Sequence, residues 1–350
     1  MSQDKLTTLA EQDGSAARVP TMRDVAALAG VSIKTVSRVV NQEPGVSPEL
    51  AERVLDAVGL LGYRHNLTAS SLRRADHKSA TIGVLLEDLS NPFSAALQRA
   101  IEDVARHRGT LVLAGSSDED PDRQQELLHA LVSRRVDGLI AMPASGNQLA
   151  LLRERRLGRP MVLVDRPAPE ADSVVVDNRA GLGRAVHHLV AHGHRRIGFL
   201  GDLQTLWTAT ERHAGYVEGL AAAGITLDPR LVRMDVRGVD AAERTVRELL
   251  DLADPPTALL AGQNLITIGA IRTLQQLGLQ QRVALLGFDD FPLADLLSPA
   301  VSVVAQDPTN LGQAAAELLF ARVDGDRGPP RRVMVPTRLV PRGSGEIAPS

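Results

Sequence analysis

Residues 21–41 read Thr21-Met-Arg-Asp-Val-Ala-Ala-Leu-Ala-Gly-Val-Ser-Ile-Lys-Thr-Val-Ser-Arg-Val-Val-Asn41. Thr21 is a good helix N-cap, and Val25, Ala26, Leu28 and Ala29 follow at helical spacing until Gly30 stops the helix. Ser32 caps a second helix, with Val36, Val39 and Val40 on one face. A third is expected from Ser47-Pro48-Glu49 through Leu50, Val54, Leu55 and Val58 to Leu61. Its proline falls at the first helical position, where no N–H is needed. Two helices joined by a tight turn, here Gly30-Val31-Ser32, make a helix-turn-helix whose second member enters the major groove. The exposed positions of that reader would be Ile33, Lys34, Thr35, Ser37, Arg38 and Asn41. Lysine and arginine donate to guanine O6 and N7, and Ile33 can meet a thymine methyl. The same spacing also fits an ordinary three-helix bundle with a solvated basic face.

The rest of the chain dilutes this module. Its 350 residues carry 39 basic and 42 acidic side chains, a net charge of −3 that speaks against a polybasic coat protein. Residues 21–78 hold +2 and the remainder of the body −4, with −1 on the first twenty residues. The average therefore conceals a small basic head joined to an acidic body. The length implies two or three domains. With no cysteine, disulfides, thiolate zinc sites and cysteine nucleophiles are excluded. Aromatics are 2% of the chain, so Trp207, Tyr63, Tyr216 and five phenylalanines carry all stacking. Residues 1–20 are polar and aperiodic and read as a disordered lead. They contain no basic-then-apolar leader, and no run of 18 apolar residues follows, so a cytoplasmic location without a membrane span is expected.

After Lys78 the rhythm changes. Short apolar runs at 81–86, 110–114, 136–142, 161–164, 197–201, 258–261 and 283–288 alternate with helical stretches. Such alternation means α/β structure, with parallel sheets covered by helices on both faces, and about 260 residues of it implies two lobes. Ligands in such sheets bind beyond the carboxyl ends of strands. The candidates there are Asn91 and Phe93 after Asp88, then Asp165-Arg166, Asp177-Asn178, Gln263-Asn264, Asp289-Asp290 and Gln306. Arg212 joins them from the helix that opens near Glu211. These side chains chelate adjacent hydroxyls in pairs, while Phe93 or Trp207 covers a flat C–H face, which is the chemistry of a sugar site. Strand-end polar residues also serve as plain helix caps.

The quoted stretch closely resembles the N-terminal signature of the LacI family of bacterial repressors. Gly62-Tyr63, Asn66, Ala69, Leu72 and Arg73 resemble that family's hinge, and the likeness continues to about residue 343. It implies a three-helix DNA-binding domain over residues 21–66, a hinge over 67–79 and a two-lobed core like periplasmic sugar-binding proteins over 80–343, with 344–350 as a tail. It also implies that Ile33, Lys34 and Arg38 contact base edges. Thr35, Ser37 and Asn41 would contact phosphates, and Thr21 belongs to the same DNA-binding set. Leu72 would wedge into the minor groove at the operator centre, between Ser71 and Arg73; otherwise it packs on a lobe surface. The family usually has proline where this chain has His65, which frees the backbone there. Arg212 aligns with the family's ligand-holding arginine, and Asp289 with the aspartate after the Gly-Phe strand. Asn91-Pro92-Phe93, Asp165-Arg166, Asn178 and Gln306 resemble a ribose-type pocket, with Trp207 as a further stacking face. Gln263-Asn264 stands where relatives usually carry Asn then Asp, which alters the pocket.

The expected function is therefore a homodimeric transcriptional repressor on a pseudo-palindromic double-stranded operator. Its effector would be a monosaccharide or its phosphate. A nucleobase or nucleoside effector is the alternative, disfavoured by the shortage of rings for stacking. A sugar-processing α/β enzyme would need an anchored nucleophile or cofactor loop, and no Gly-x-Ser-x-Gly, Walker or Gly-x-Gly-x-x-Gly pattern follows a strand. No cofactor and no metal are expected. His187, His188, His192 and His194 cluster without a His-Glu-x-x-His motif. Leu339-Val-Pro-Arg-Gly-Ser344 spells a thrombin-cleavable linker, yet reads best as native sequence. No heptads follow, so dimers are expected and not coiled-coil tetramers.

Overall fold

The computed structural model describes residues 19–41, 43–63, 78–145 and 148–349. It forms two compact units divided between His77 and Lys78. The hinge expectations at His65, Asn66, Ala69, Leu72 and Arg73 lie outside the described residues, as do residues 1–18.

In the first unit, helices α1 (Met22–Ala29), α2 (Ile33–Val40) and α3 (Pro48–Leu61) enclose Val25, Ala26, Ala29, Val36, Val54 and Ala57. The Asp24 carboxylate accepts from both the N–H and the hydroxyl of Thr21, at 2.7 and 2.6 Å, and fixes the first turn. Gly30 ends α1 at φ 63°, a left-handed conformation that costs glycine nothing. Ser32 Oγ accepts from Thr35 N at 3.1 Å and starts α2 within two residues of that stop. Arg53 donates to the Ala29 carbonyl at 2.6 Å and ties α3 to the end of α1. These contacts fix the turn between the first two helices.

The second unit has two lobes built on one plan. The first sheet runs β2-β1-β3-β4-β5-β11, with β1 (Thr81–Leu86), β2 (Leu111–Ser116), β3 (Gly138–Ala141), β4 (Met161–Val164), β5 (Asp172–Val176) and β11 (Arg332–Val335). The second runs β7-β6-β8-β9-β10-β12, with β6 (Ile197–Leu200), β7 (Val232–Arg233), β8 (Ala258–Ala261), β9 (Ala284–Phe288), β10 (Ser302–Ala305) and β12 (Arg338–Val340). All pairings are parallel except β10 with β12. Helices α4 (Pro92–His107) and α11 (Pro308–Val323) cover one face of the first sheet, and α5 (Pro121–Ser133) and α6 (Leu149–Arg156) the other. In the second lobe α7 (Asn178–Ala191) and α8 (Trp207–Ala222) lie opposite α9 (Gly238–Leu250) and α10 (Asn264–Gln276). Strands buried on both faces read as the continuous apolar runs seen in the sequence. The chain crosses between lobes at 176–178, 305–308 and 335–338. Among the described residues no helix is long and apolar enough to cross a membrane.

The Leu339–Ser344 stretch is part of the second lobe. β12 pairs with β10, Arg342 makes a two-pronged ion pair with Asp290 at 2.7 and 2.6 Å, and buried Ser344 accepts from Ser302 N at 2.9 Å. A protease must draw several residues into an extended strand, so cleavage here requires local unfolding. Thrombin is expected to leave the native chain intact while cutting a peptide of residues 336–348 after Arg342. Equal rates on the two would show that the segment is loose.

The histidines have separate partners. His188 pairs with Glu346, His192 Nδ1 bonds the His188 carbonyl at 2.8 Å, and His194 reaches Thr257 at 2.9 Å and the Ile347 carbonyl at 2.7 Å. Among the described residues no group of three or more His, Asp or Glu is placed to hold a metal ion.

Candidate functional site

In the helical unit, α2 leaves Ile33 and Lys34 exposed, with Thr35, Ser37, Arg38 and Asn41 half-buried beside them. Among the described residues no carboxylate pairs with Lys34 or Arg38. The hydroxyls of Ser32 and Thr35 lie 2.9 Å apart, and Asn41 donates to Ser37 Oγ at 3.2 Å. Thr21 spends both its donors on Asp24, so its direct part is that of a cap orienting α1.

The second site is the seam between the lobes, where the carboxyl ends of both sheets meet. Asp165 follows β4 at φ 69° and Asp289 follows β9 at φ 71°. The two strands hold the same place in the two sheets. An aspartate held in left-handed backbone costs of order 1–3 kcal/mol, and such residues cluster at ligand sites. Both are buried, and burial pushes both carboxyls above the usual range, opposed at Asp165 by Arg166 and then Arg212, and at Asp289 by Arg212.

Arg212, on α8, is the hub. Its Nε donates to Asn178 Oδ1 and its Nη1 to the Gly262 carbonyl, each at 2.8 Å, and Nη1 stands 3.9 Å from Asp289 Oδ2. Its guanidinium lies 3.9 Å from the centre of the Phe288 ring. Gln306 donates to Asp289 Oδ1, and its own buried carbonyl oxygen has no partner. On the other lobe Arg166 spends its terminal nitrogens on Glu119, at 2.6 and 2.8 Å, and on the Pro143 carbonyl. Its buried Nε is unpartnered and lies 3.7 Å from Asp165 Oδ2, too far for a direct bond.

Among the described residues, hydrogen bonds join the lobes at three places. Asn91 and Asn264 exchange amide bonds at 2.8 and 3.3 Å, Ser145 Oγ meets Thr205 Oγ1, and Arg237 donates to the Asp118 carbonyl at 2.6 Å. Asn91 also caps α4 by accepting from Phe93 N at 3.0 Å, while Phe93 packs partly on the first core. Gln263 caps α10 through Leu265 N, so Asn264 makes the bridge at the altered position. Trp207 opens α8 at the mouth of the seam. There a cavity of about 300 Å³ is lined by Pro143, Ser145, Arg166, Thr205, Leu206 and Trp207 among others.

Sequence reasoning did not single out Glu87, Glu119, Asp202 or Arg237. Glu87 follows β1 and Glu119 follows β2, whereas Asp202 follows β6 and Arg237 precedes α9. Burial, then Glu119, pushes the Glu87 carboxyl up to about 7. Burial also raises Asp202. For the three carboxylates the signal available was their position just past strand ends, the same rule that found Asp165; Arg237, a helix N-cap, carried no such signal.

The comparisons with known proteins agree in outline. Residues 21–66 match a model of bacterial regulatory proteins of the lacI family, and residues 186–345 match a periplasmic binding protein-like domain. The chain is similar to the HTH-type transcriptional repressor PurR of Aliivibrio salmonicida, 30% identical over 318 residues, 89% of this chain and 95% of the relative. It is also similar to the solved transcriptional regulator CelR–cellobiose complex, at 30% identity and TM-score 0.70, covering 93% of this chain and 99% of that one. A lac repressor dimer bound to operator and the anti-inducer ONPF matches at 26% identity and TM-score 0.83, covering 94% and 99%.

Proposed function

The chain belongs to the LacI family of bacterial regulatory proteins, and from that premise we propose a homodimeric repressor whose operator affinity is set by a monosaccharide bound between its lobes. Each α2 reads one half-site of a pseudo-palindrome. Ile33, Lys34 and Arg38 face base edges, while Thr35, Ser37 and Asn41 hold phosphates and so fix register. Asn66, Leu72 and Arg73 serve as the minor-groove hinge. No bond-making chemistry is assigned to the seam.

The observation that carries the effector half is the pair of left-handed aspartates, Asp165 and Asp289, facing one seam beside Arg212. Orphan polar atoms on Arg166 and Gln306 complete the set. Buried polar atoms are normally satisfied, so orphans at a seam call for a ligand with donors and acceptors on adjacent carbons. A sugar ring supplies that: one hydroxyl can accept from Arg166 Nε and donate to Asp165, while two others on adjacent carbons donate to Asp289 and to the Gln306 carbonyl oxygen. The CelR complex holds cellobiose, which is the same ligand chemistry.

The test is binding-site selection from random duplexes, then titration of the recovered operator with sugars, nucleobases and nucleosides. A monosaccharide should move operator affinity by a factor equivalent to about 1–3 kcal/mol, and operator should move sugar affinity by the same factor. A shift caused only by nucleobases or nucleosides would sink the sugar reading. Lys34→Ala and Arg38→Ala should each cost about 1–3 kcal/mol and relax base preference at one position per half-site. Full selectivity in both variants would remove α2 as the reader.

A further inference from the structure

The seam is rich in carboxylates. Glu87, Glu119, Asp165, Asp202 and Asp289 gather around Arg166, Arg212 and Arg237, and their mutual electrostatic influence reaches across both lobes. We propose that Glu87, Glu119 and Asp202 fix the charge of the effector, so that the seam accepts an uncharged sugar and excludes its phosphate esters. The inference rests on the effector reading above and narrows it.

A phosphate ester brings about −1.5 to −2 charges into a buried space and needs an excess of cationic charge there. The chain has three lysines, Lys5, Lys34 and Lys78, none between the two lobes' strands. Arg166 has committed its terminal nitrogens to Glu119 and the Pro143 carbonyl. Arg212 gives Nε and Nη1 to Asn178 and the Gly262 carbonyl, and Arg237 gives one nitrogen to the Asp118 carbonyl; the donors these two keep are outweighed by charge, because three guanidiniums already face five carboxylates. Arg166, whose side chain is 5% exposed, keeps its Nε open beside the Asp165 carboxylate, and its Nη2 stands 3.9 Å from the Glu87 carboxylate. One N–H next to a carboxylate suits a bridging hydroxyl, which accepts from the first and donates to the second. A dianion there would face Asp165 directly. Glu87, lifted to about 7 by burial and by Glu119, is already the group at which the seam relieves its own repulsion. Neutral hydroxyls add no charge, and they supply protons to carboxylates that have too few donors.

Calorimetry with a panel of aldopentoses and aldohexoses, each beside its phosphate ester, tests this. At least one free sugar should bind, with its ester at least about thirtyfold weaker. The Glu87→Gln, Asp202→Asn double variant should shrink that ratio by about tenfold, with circular dichroism confirming the fold. An ester that binds as tightly as its parent overturns the charge selection and leaves the effector reading standing. A ratio unmoved in the folded double variant overturns the assignment to these carboxylates. If no sugar and no ester binds, the effector reading falls and this inference with it.

Discussion

Replacing Arg322 by alanine is expected to destabilise the two-lobed unit by about 3–5 kcal/mol, because it strands a buried carboxylate. Arg322 lies in the last turn of α11 and turns back under the following loop. Its guanidinium bonds both Asp172 oxygens at 2.6 and 2.9 Å and the carbonyls of Gly328 and Pro329, each at 2.7 Å. Asp172 also accepts from Arg331 N at 2.7 Å and is 1% exposed. This clip joins the start of β5 to the approach of β11, the strand that closes the first sheet. Burial alone would raise the Asp172 carboxyl, but Arg322 and the Arg331 N–H hold it below its ordinary value. A depressed carboxylate contributes stability above its unfolded pKa and loses it as pH falls through the folded one. Guanidinium unfolding followed by circular dichroism should show the loss at neutral pH. Arg322→Met combined with Asp172→Leu should cost less than the single change, since no charge is stranded. An alanine variant within about 1 kcal/mol of wild type would mean that the clip is solvated and weak.

The helical unit was legible because its stops and caps are local. Gly30, Ser32 and Pro48 each act within a turn of where they stand, and the structure places α1, α2 and α3 where those residues require. In the second unit the continuous apolar strands were also legible, because burial on both faces removes any need for alternation. β7, two residues long, and β11 and β12, near the end and partly exposed, carry too little pattern to be recognised. Their places are set by long-range pairing with β6, β5 and β10.

The seam divides in the same way. Asp165 and Asp289 were found because a strand end is a local feature. Their equivalence is not local: it follows from two sheets with one strand order, so that one backbone turn is used twice. Gln263, expected to face the ligand, uses its carbonyl oxygen to cap α10, because a side chain at a helix N-terminus satisfies the nearest free N–H; the neighbouring Asn264 makes the bridge between lobes, which no local rule foretells. Arg166 is placed as expected, but its commitment to Glu119 depends on a loop 47 positions earlier in the chain. No spacing rule links those two residues; only the fold does.

Arg212→Ala is expected to abolish the effector response while leaving effector-free operator binding intact. The guanidinium joins three strand ends at once: Asn178 after β5, Gly262 after β8 and Asp289 after β9. Removing it takes from buried Asp289 its foremost opposing cation, so burial raises that carboxyl further, whereas Asp165 keeps Arg166. Losing a buried, hydrogen-bonded charge of this kind costs about 2–5 kcal/mol in ligand affinity, roughly 30-fold to several thousandfold. Arg212→Lys keeps the charge but not the planar fork, and a single ammonium cannot serve Asn178 and Gly262 in the same geometry. It should recover only part of the response. The measurement is operator anisotropy across an effector titration, with sugar affinity taken separately by calorimetry. If the alanine variant released or retained operator at the wild-type effector midpoint, Arg212 would be a structural strut and the ligand would lie elsewhere in the seam. If it failed to bind operator without effector, the loss would lie in folding, and the lysine variant would then carry the test. Both variants keep α2 unchanged, so any change confined to the effector titration belongs to the seam.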